Sequence, residues 1–416
     1  MLSLAVHPRQ SLMGNIGHMK KIRCKLKDLM EKRELSQYQL AKETGLSINA
    51  IGRLYKQEFD RIDCNTAEVL CNYFGCDLCE LFPLEADSSQ RMKEDELRER
   101  YAAGERNFTG VDLSRANLNG VSLTGSNLTG AILSKAILPK ADLSKANLDK
   151  ADLREIDLEG AILNAATLRG AKLGQGKLAS AKLVYTELTD ADLSETYLQK
   201  AELRWANLSG SVLKEARLDD AQLVRANLTK ADLTYAKLRK ADLRWADLRQ
   251  VKLINADLTG AELEAACLVG ADLSSANLSS ADLSKTDLSS ANLSSADLSK
   301  TDLSNAILRG VNLSLTNLTS AKLSGVDLSG ANLRDSNLGG CNLSGINLSS
   351  ADLSGVNLRS AVLRGANLSR TKLKYADLRY ADLLGTDLSC VDLGDAYLGG
   401  ATMPDGKVHD HETGEI

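Results

Sequence analysis

The chain is short of the side chains that do most catalytic work. Its four histidines, His7, His18, His409 and His411, all lie in the terminal segments. Proton transfer near neutral pH leans on histidine, so the long middle of the chain has none of that chemistry. No glycine loop of the phosphate-cradling kind and no nucleophile–base spacing occurs either, so neither enzymatic activity nor a cofactor is expected. Aromatic residues make up 4% of the 416 residues, with two tryptophans, and there are four prolines. That is too little bulk for ordinary domain cores along so long a chain. No apolar run approaches the ~18 residues of a membrane helix, so no membrane partner is expected. The opening MLSLAVHPRQSLMGNIGHMKK has neither the basic start nor the apolar centre of a secretion signal. Residues 1–18 read as a disordered extension ahead of Met19, where the patterned sequence begins, and a cytoplasmic location follows.

Charge of one sign is also missing. The net charge of −4 divides into −1 for the first 105 residues, zero for 106–403 and −3 for the tail after Met403. Of the eight cysteines, five fall between Cys24 and Cys79. Cys76 and Cys79 form a C-x-x-C, with Cys71 close by, and a zinc site built on them would need Cys64 as its fourth ligand. No histidine lies near, so these are read as small thiols packed in a helical domain, and no metal is expected.

What the chain has in abundance is leucine at a fixed interval. From Leu113 to Leu398 every fifth residue is leucine, 58 in succession, with Phe108 and Met403 extending the register. A small residue, most often Ala, stands two places before each leucine, and Asp or Asn often lies between, as in Ala116-Asn117-Leu118. A period of five suits neither standard element: it spreads leucines around an α-helix and sends them to alternate faces of a strand. The leucines stay together only if the chain turns a corner about every five residues, giving a solenoid with leucine inside. The two residues after each leucine then occupy the corners. Tyr185, Trp205, Arg225 and Trp245 are spaced by twenty, and Arg204 and Arg244 precede the two tryptophans. A coil of twenty residues would stack all four on one outer face.

This A(D/N)Lxx pattern resembles the pentapeptide-repeat family over about 300 residues. The resemblance implies an all-β, right-handed quadrilateral β-helix over residues 106–403, about fifteen coils and roughly 70 Å long at the ~4.8 Å strand spacing. Open coil ends need covering. Residues 87–105, including KEDELRERYA, read as a linker and capping helix, and residues 404–416 as a tail that closes the other end.

Residues 19–86 follow a different rule, with helical periodicity and basic residues concentrated between Lys20 and Arg61. In SQYQLAKETGLSINAIGRLY, Ser36 and Gln39 form a capping box ahead of one helix. Leu40 and Ala41 face inward, Gly45 supplies a left-handed turn, Ser47 caps the next helix, and Ile51 and Leu54 return to the core. The arrangement resembles the small all-α helix-turn-helix domain of the Cro and phage-repressor type, the XRE family. One departure is Thr44, where that family has an apolar residue. The resemblance implies a double-stranded DNA partner, with Gln37 on the phosphate backbone, Ser47, Ile48, Asn49 and Ala50 toward base edges, and Arg53 and Lys56 on phosphates. Asn49 is the candidate for a bidentate adenine contact.

Together these readings describe a bacterial, sequence-specific transcriptional regulator, possible as a homodimer, whose rod spaces it or binds a protein partner. The face of Tyr185, Arg204, Trp205, Arg225, Arg244 and Trp245 is the candidate partner surface, set in a basic stretch from Arg225 to Lys252. A second basic stretch runs from Arg364 to Arg379. Two alternatives stay open, with the helix-turn-helix serving docking or dimerisation: an interaction scaffold, or a DNA mimic that binds a topoisomerase. The near-neutral rod disfavours the mimic.

Overall fold

The computed structural model describes residues 21–22, 24–56, 58, 63–76, 81, 84–85 and 91–410. The extension expected at 1–18, His411 and Cys79 lie outside the described residues. The chain divides into two compact units, residues 1–90 and 91–416.

The first unit holds α1 (Leu26–Lys32), α2 (Gln37–Thr44), α3 (Ile48–Tyr55) and α4 (Cys64–Phe74). A two-residue pairing of β1 (Lys21–Ile22) with β2 (Leu84–Glu85) runs antiparallel. Three of these helices, α2, α3 and α4, start where a side chain takes up an orphan amide. The Ser36 hydroxyl accepts from Gln39 N at 3.2 Å, while Gln39 Oε1 accepts from Ser36 N at 3.0 Å, a complete capping box. Ser47 Oγ accepts from Ala50 N at 3.1 Å, and Asp63 Oδ1 from Thr66 N at 2.7 Å. Between α2 and α3, Gly45 adopts φ 72°, which a side chain with a Cβ disfavours. Thr44 is accommodated because its hydroxyl donates to Leu40 O at 2.6 Å. Arg33 closes α4 by donating to the carbonyls of Tyr73 and Phe74, at 3.1 and 2.9 Å. Leu26, Met30, Leu40, Ile51, Leu54, Leu70 and Leu81 form the buried core.

In the second unit, α5 (Glu94–Ala102) lies over one end of a long stack of coils. Leu97 is fully buried there in the same apolar cluster as the repeat leucines. Glu94 Oε1 accepts from Asn117 N at 3.1 Å and the Tyr101 hydroxyl donates to Thr124 O at 3.1 Å, fixing the helix to the first coils. Beyond it, parallel bridges join residues twenty apart, from Asn107 with Asn127 to Asp382 with Thr402. A two-residue turn recurs every five residues, so each coil has four corners. At the far end the chain folds back, pairing Thr402 antiparallel with Val408. Leu388, Leu393 and Leu398 of the final coil are only partly buried, unlike the repeat leucines before them.

The pentapeptide is explained by following its five amide hydrogens. In residues 216–220, Ala216 N donates to Leu213 O within the turn, at 3.1 Å. Arg217 N donates to Thr196 O of the coil before, at 2.8 Å. Leu218 N and Asp220 N donate to Lys237 O and Arg239 O of the coil after, at 2.6 and 2.9 Å. The amide directly after the leucine has no backbone partner in this scheme. Asp or Asn one place before the leucine supplies it: Asp142 Oδ1 accepts from Ser144 N at 2.9 Å, and Asn277 Oδ1 from Ser279 N at 3.0 Å. Where that position is Thr167 or Lys182, a side chain from the neighbouring coil substitutes. Asp149 accepts from Arg169 N at 2.9 Å and Asn164 from Val184 N at 3.1 Å. The frequency of Asp and Asn in the repeat therefore follows from one orphan donor per corner.

These carboxylates are expected to make the rod acid-sensitive. The Arg154 guanidinium and amide hold Asp152 below the ordinary carboxylate range, and Arg249 and Arg379 do the same for Asp247 and Asp377. At Asp302 burial pushes upward, but the Ser304 hydroxyl and amide, with Lys322, outweigh it and the net shift is downward. A carboxyl depressed in the folded state stabilises above its unfolded value and loses that contribution as pH falls through the folded one. The thermal midpoint followed by circular dichroism is therefore expected to be flat from neutrality to about pH 5 and to fall below about pH 4. A midpoint unchanged at about pH 2.5 would show that the aspartates do not stabilise the rod.

Candidate functional sites: a solvent-facing helix and a stacked ridge

In the first unit, α3 is short, capped at its start by Ser47, and held from beneath by Ile51 and Leu54. The residues between these anchors point away from the core. Ser47, Ile48, Asn49, Arg53 and Lys56 are exposed and Ala50 is half-buried. Arg53 Nε donates to Glu58 O at 3.0 Å, which orients the guanidinium. Gln37 is half-buried at the start of α2, with its Oε1 3.4 Å from where a Cβ on Gly52 would lie. Gly52 thus lets the first turn of α2 approach α3, bringing Gln37 beside the exposed face. Tyr38, 69% exposed, stands next to it and was not among the candidates. Its exposure comes from facing away from Leu40 on the same short helix, a signal available in the helical spacing.

On the rod, Tyr185, Trp205, Arg225 and Trp245 do form one column at a corner. Each takes a left-handed conformation, with φ from 57° to 60°. The Tyr185 and Trp205 rings stack with centroids 6.1 Å apart and planes 17° from parallel. Arg225 then lies between the indoles, its Cζ 4.7 Å from the Trp205 ring and 5.6 Å from the Trp245 ring. Contacts of these kinds are worth about 0.5–1.5 kcal/mol each. Tyr185, Trp205 and Trp245 remain 60%, 45% and 47% exposed. Val184 and Val224 are half-buried at the same corner as Arg204 and Arg244. They were missed because valine stands out less than arginine, although the twenty-residue register contains them.

The other cations of the ridge are engaged within the chain. Arg204 reaches Glu202 at 3.0 Å and Gln222 at 2.9 Å. Arg244 forks onto Asp242 at 2.8 and 2.6 Å and approaches Glu262 at 3.2 Å. The Asp242 carboxylate holds Arg244 further above its ordinary range, so it stays charged. Counted along the chain, the basic stretch from Arg225 to Lys252 faces only Asp232, Asp242 and Asp247. Coil stacking corrects that count by adding acids a coil away: Arg239 pairs with Asp219 at 3.2 Å and Asp257 at 3.4 Å. In the stretch from Arg364 to Arg379 the acids a coil away pair likewise, Asp352 with Lys372 and Asp382 with Arg364, while Arg379 pairs with Asp377 of its own coil.

Among the described residues no group of His, Cys, Asp and Glu is placed to hold a metal ion. Cys64, named above as a possible ligand, is exposed, while Cys24 is buried. Burial pushes the Cys24 thiol up to about 11. No helix among them is long and apolar enough to cross a membrane.

A first unit with four helices among its described residues and a capped outer helix, followed by a solenoid of five-residue corners, defines a class of two-part proteins. A family model described as pentapeptide repeats (8 copies) matches stretches that run without a gap from residue 107 to 403, so the chain belongs to the pentapeptide-repeat family. Residues 25–87 match the Cro/C1-type HTH DNA-binding domain. Both are structural or DNA-binding types rather than enzyme families. Solved structures similar to the chain include HetL, a pentapeptide repeat protein involved in heterocyst differentiation regulation from the cyanobacterium Nostoc sp. strain PCC 7120. It is 33% identical, with 77% of this chain and 100% of HetL covered, at a TM-score of 0.17. A pentapeptide repeat protein of the Arabidopsis thaliana thylakoid lumen is 28% identical over 30% of this chain and 70% of its own, TM-score 0.16. QnrB1, a plasmid-mediated fluoroquinolone resistance protein, is 19% identical over 54% of this chain and 90% of its own, TM-score 0.26. No curated protein matches the chain.

Proposed function

We propose that the chain is a transcriptional regulator whose first unit binds double-stranded DNA through α3, and whose rod is a protein-binding module. The observation that supports this most is the outer surface of α3. A helix fixed by Ser47, Ile51 and Leu54 exposes Asn49, Arg53 and Lys56, within a region that matches a DNA-binding domain model. Asparagine at the start of such a helix suits a bidentate adenine contact, and the two cations suit flanking phosphates. A homodimer in the cytoplasm would read two half-sites about 34–36 Å apart. The rod is taken as right-handed, with about fifteen coils. Its period of twenty residues supports that count over residues 107–403.

Selection of random duplexes on the full chain is expected to enrich one motif. Asn49→Ala should lower affinity for it by about 1–3 kcal/mol and relax the preference at one adenine. Lys56→Ala should weaken all duplexes alike and reduce the salt dependence. Absence of any enriched motif, with Asn49→Ala retained on DNA like the parent chain, would reject the DNA-binding reading.

A further inference from the structure

We infer that the ridge on the rod recognises a carboxylate of an acidic peptide segment, with Arg225 as the recognising group. This deepens the reading of the rod as a protein-binding module and rests on it. The argument begins with what Arg225 lacks. Arg204, Arg239, Arg244 and Arg249 each pair with an acidic residue of this chain. Arg225, in their midst, contacts the Trp205 and Trp245 rings, and among the described residues it makes neither an ion pair nor a side-chain hydrogen bond.

The geometry of the stack determines what remains available. The indoles flank the guanidinium on either side, while Arg225 itself stays exposed. Its N–H donors lie in the plane of the cation, and a contact with a ring face leaves them available to a ligand. A planar cation flanked by indoles, with in-plane donors that no described residue of the chain takes up, matches the two oxygens of one carboxylate. Trp, Tyr and Arg around it are the residue types that dominate protein–protein binding energy. Half-exposed rings and the neighbouring Val184 and Val224 supply apolar contact on either side.

The surroundings favour a discrete carboxylate over a nucleic-acid backbone. Glu187, Glu202, Asp242, Asp247 and Glu262 occupy the columns beside the ridge, and a continuous polyanion laid along it would meet them. The ring faces are also spent on one another and on Arg225. A nucleobase could stack only at the two ends of the column, against Tyr185 or Trp245.

The chain contains two tryptophans, both in the ridge, so indole emission reports this site alone. Displayed random peptides are selected on the full chain, and the winners are titrated while emission is followed. Winners are expected to contain Asp or Glu. Affinity should fall at least about tenfold when that residue is changed to its amide, and equally for Arg225→Gln, with Arg225→Lys intermediate. Winners without an acidic residue, or affinity unaffected by Arg225→Gln, would overturn the proposal. Binding lost in Trp205→Ala and Trp245→Ala but kept in Arg225→Gln would reject the carboxylate while leaving the ridge as a protein-binding surface. Indifference to all three changes, or no enrichment at all, would reject both readings. Competition by duplex DNA but not by excess acidic peptide would assign the ridge to nucleic acid and overturn the proposal too.

Discussion

Leu223→Ala is expected to destabilise the rod by about 2–5 kcal/mol, the usual cost of removing a fully buried leucine and leaving a cavity. Leu223 is 0% exposed and lies mid-stack, where hydrogen bonds to the coil before and the coil after fix the backbone. Little collapse into the vacated space is possible, which places the expected loss in the upper half of that range. The same change at Leu398 should cost clearly less, because that side chain is already partly exposed in the final coil. Urea unfolding of the full chain, followed by far-UV circular dichroism, measures both. Coil stability depends on nearest neighbours, so the mid-stack variant should also broaden the transition. Equal losses at the two positions would contradict a core that loosens in its final coil.

The second large effect concerns a residue that departs from the repeat. The position two before the leucine is most often a buried alanine, but Gly176 stands there, and Ile156 occupies the same place one coil earlier. A Cβ on Gly176 would lie 2.8 Å from Leu173 O, 3.2 Å from Leu178 Cδ1 and 3.4 Å from Ile156 Cγ2. A methyl there would press on the carbonyl of its own turn, and the Ile156 side chain takes up part of the remaining space. Gly176→Ala is expected to cost about 1–3 kcal/mol through overpacking, although alanine is the commonest residue at this position. Ile156→Ala alone opens a cavity and should cost about 2–5 kcal/mol. The double variant restores the ordinary alanine pair, so its loss should be smaller than the sum by at least about 1 kcal/mol. Simple additivity would show that the two side chains do not share one space.

Much of this was legible because the repeat leaves few alternatives. A five-residue leucine period fits only a chain that turns at every repeat, and the twenty-residue spacing of Tyr185, Trp205, Arg225 and Trp245 placed them in one column. Helix starts at Ser36 and Ser47 were legible because a hydroxyl before an apolar run has one common use. Other features were hidden because they depend on contacts between coils. That Asp142 serves the amide of Ser144 needs the full hydrogen-bond scheme of a corner. The pairing of Arg239 with Asp219 and Asp257 needs the coil period before any linear count of charge has meaning. The internal stacking that uses up the faces of Trp205 and Trp245 could not be read from their spacing.

Bridges between residues twenty apart, with a corner every five, make chain length in the rod a setting of rotation. The segments 276–290 and 291–305 are nearly identical in sequence and fifteen residues long, three corners instead of four. Lys285 therefore stacks in the column of Ala265 and Asn305, whereas its counterpart Lys300 stacks with Ser280 and Ser320, a different corner of the coil. Adding or deleting one pentapeptide would seat every leucine as before and turn everything beyond it by about 90°. The core accepts any multiple of five, but a surface such as the ridge keeps its alignment with the rest of the rod only in multiples of twenty. A gene that lengthens by slippage of five-residue units can thus re-aim its surfaces without disturbing its core.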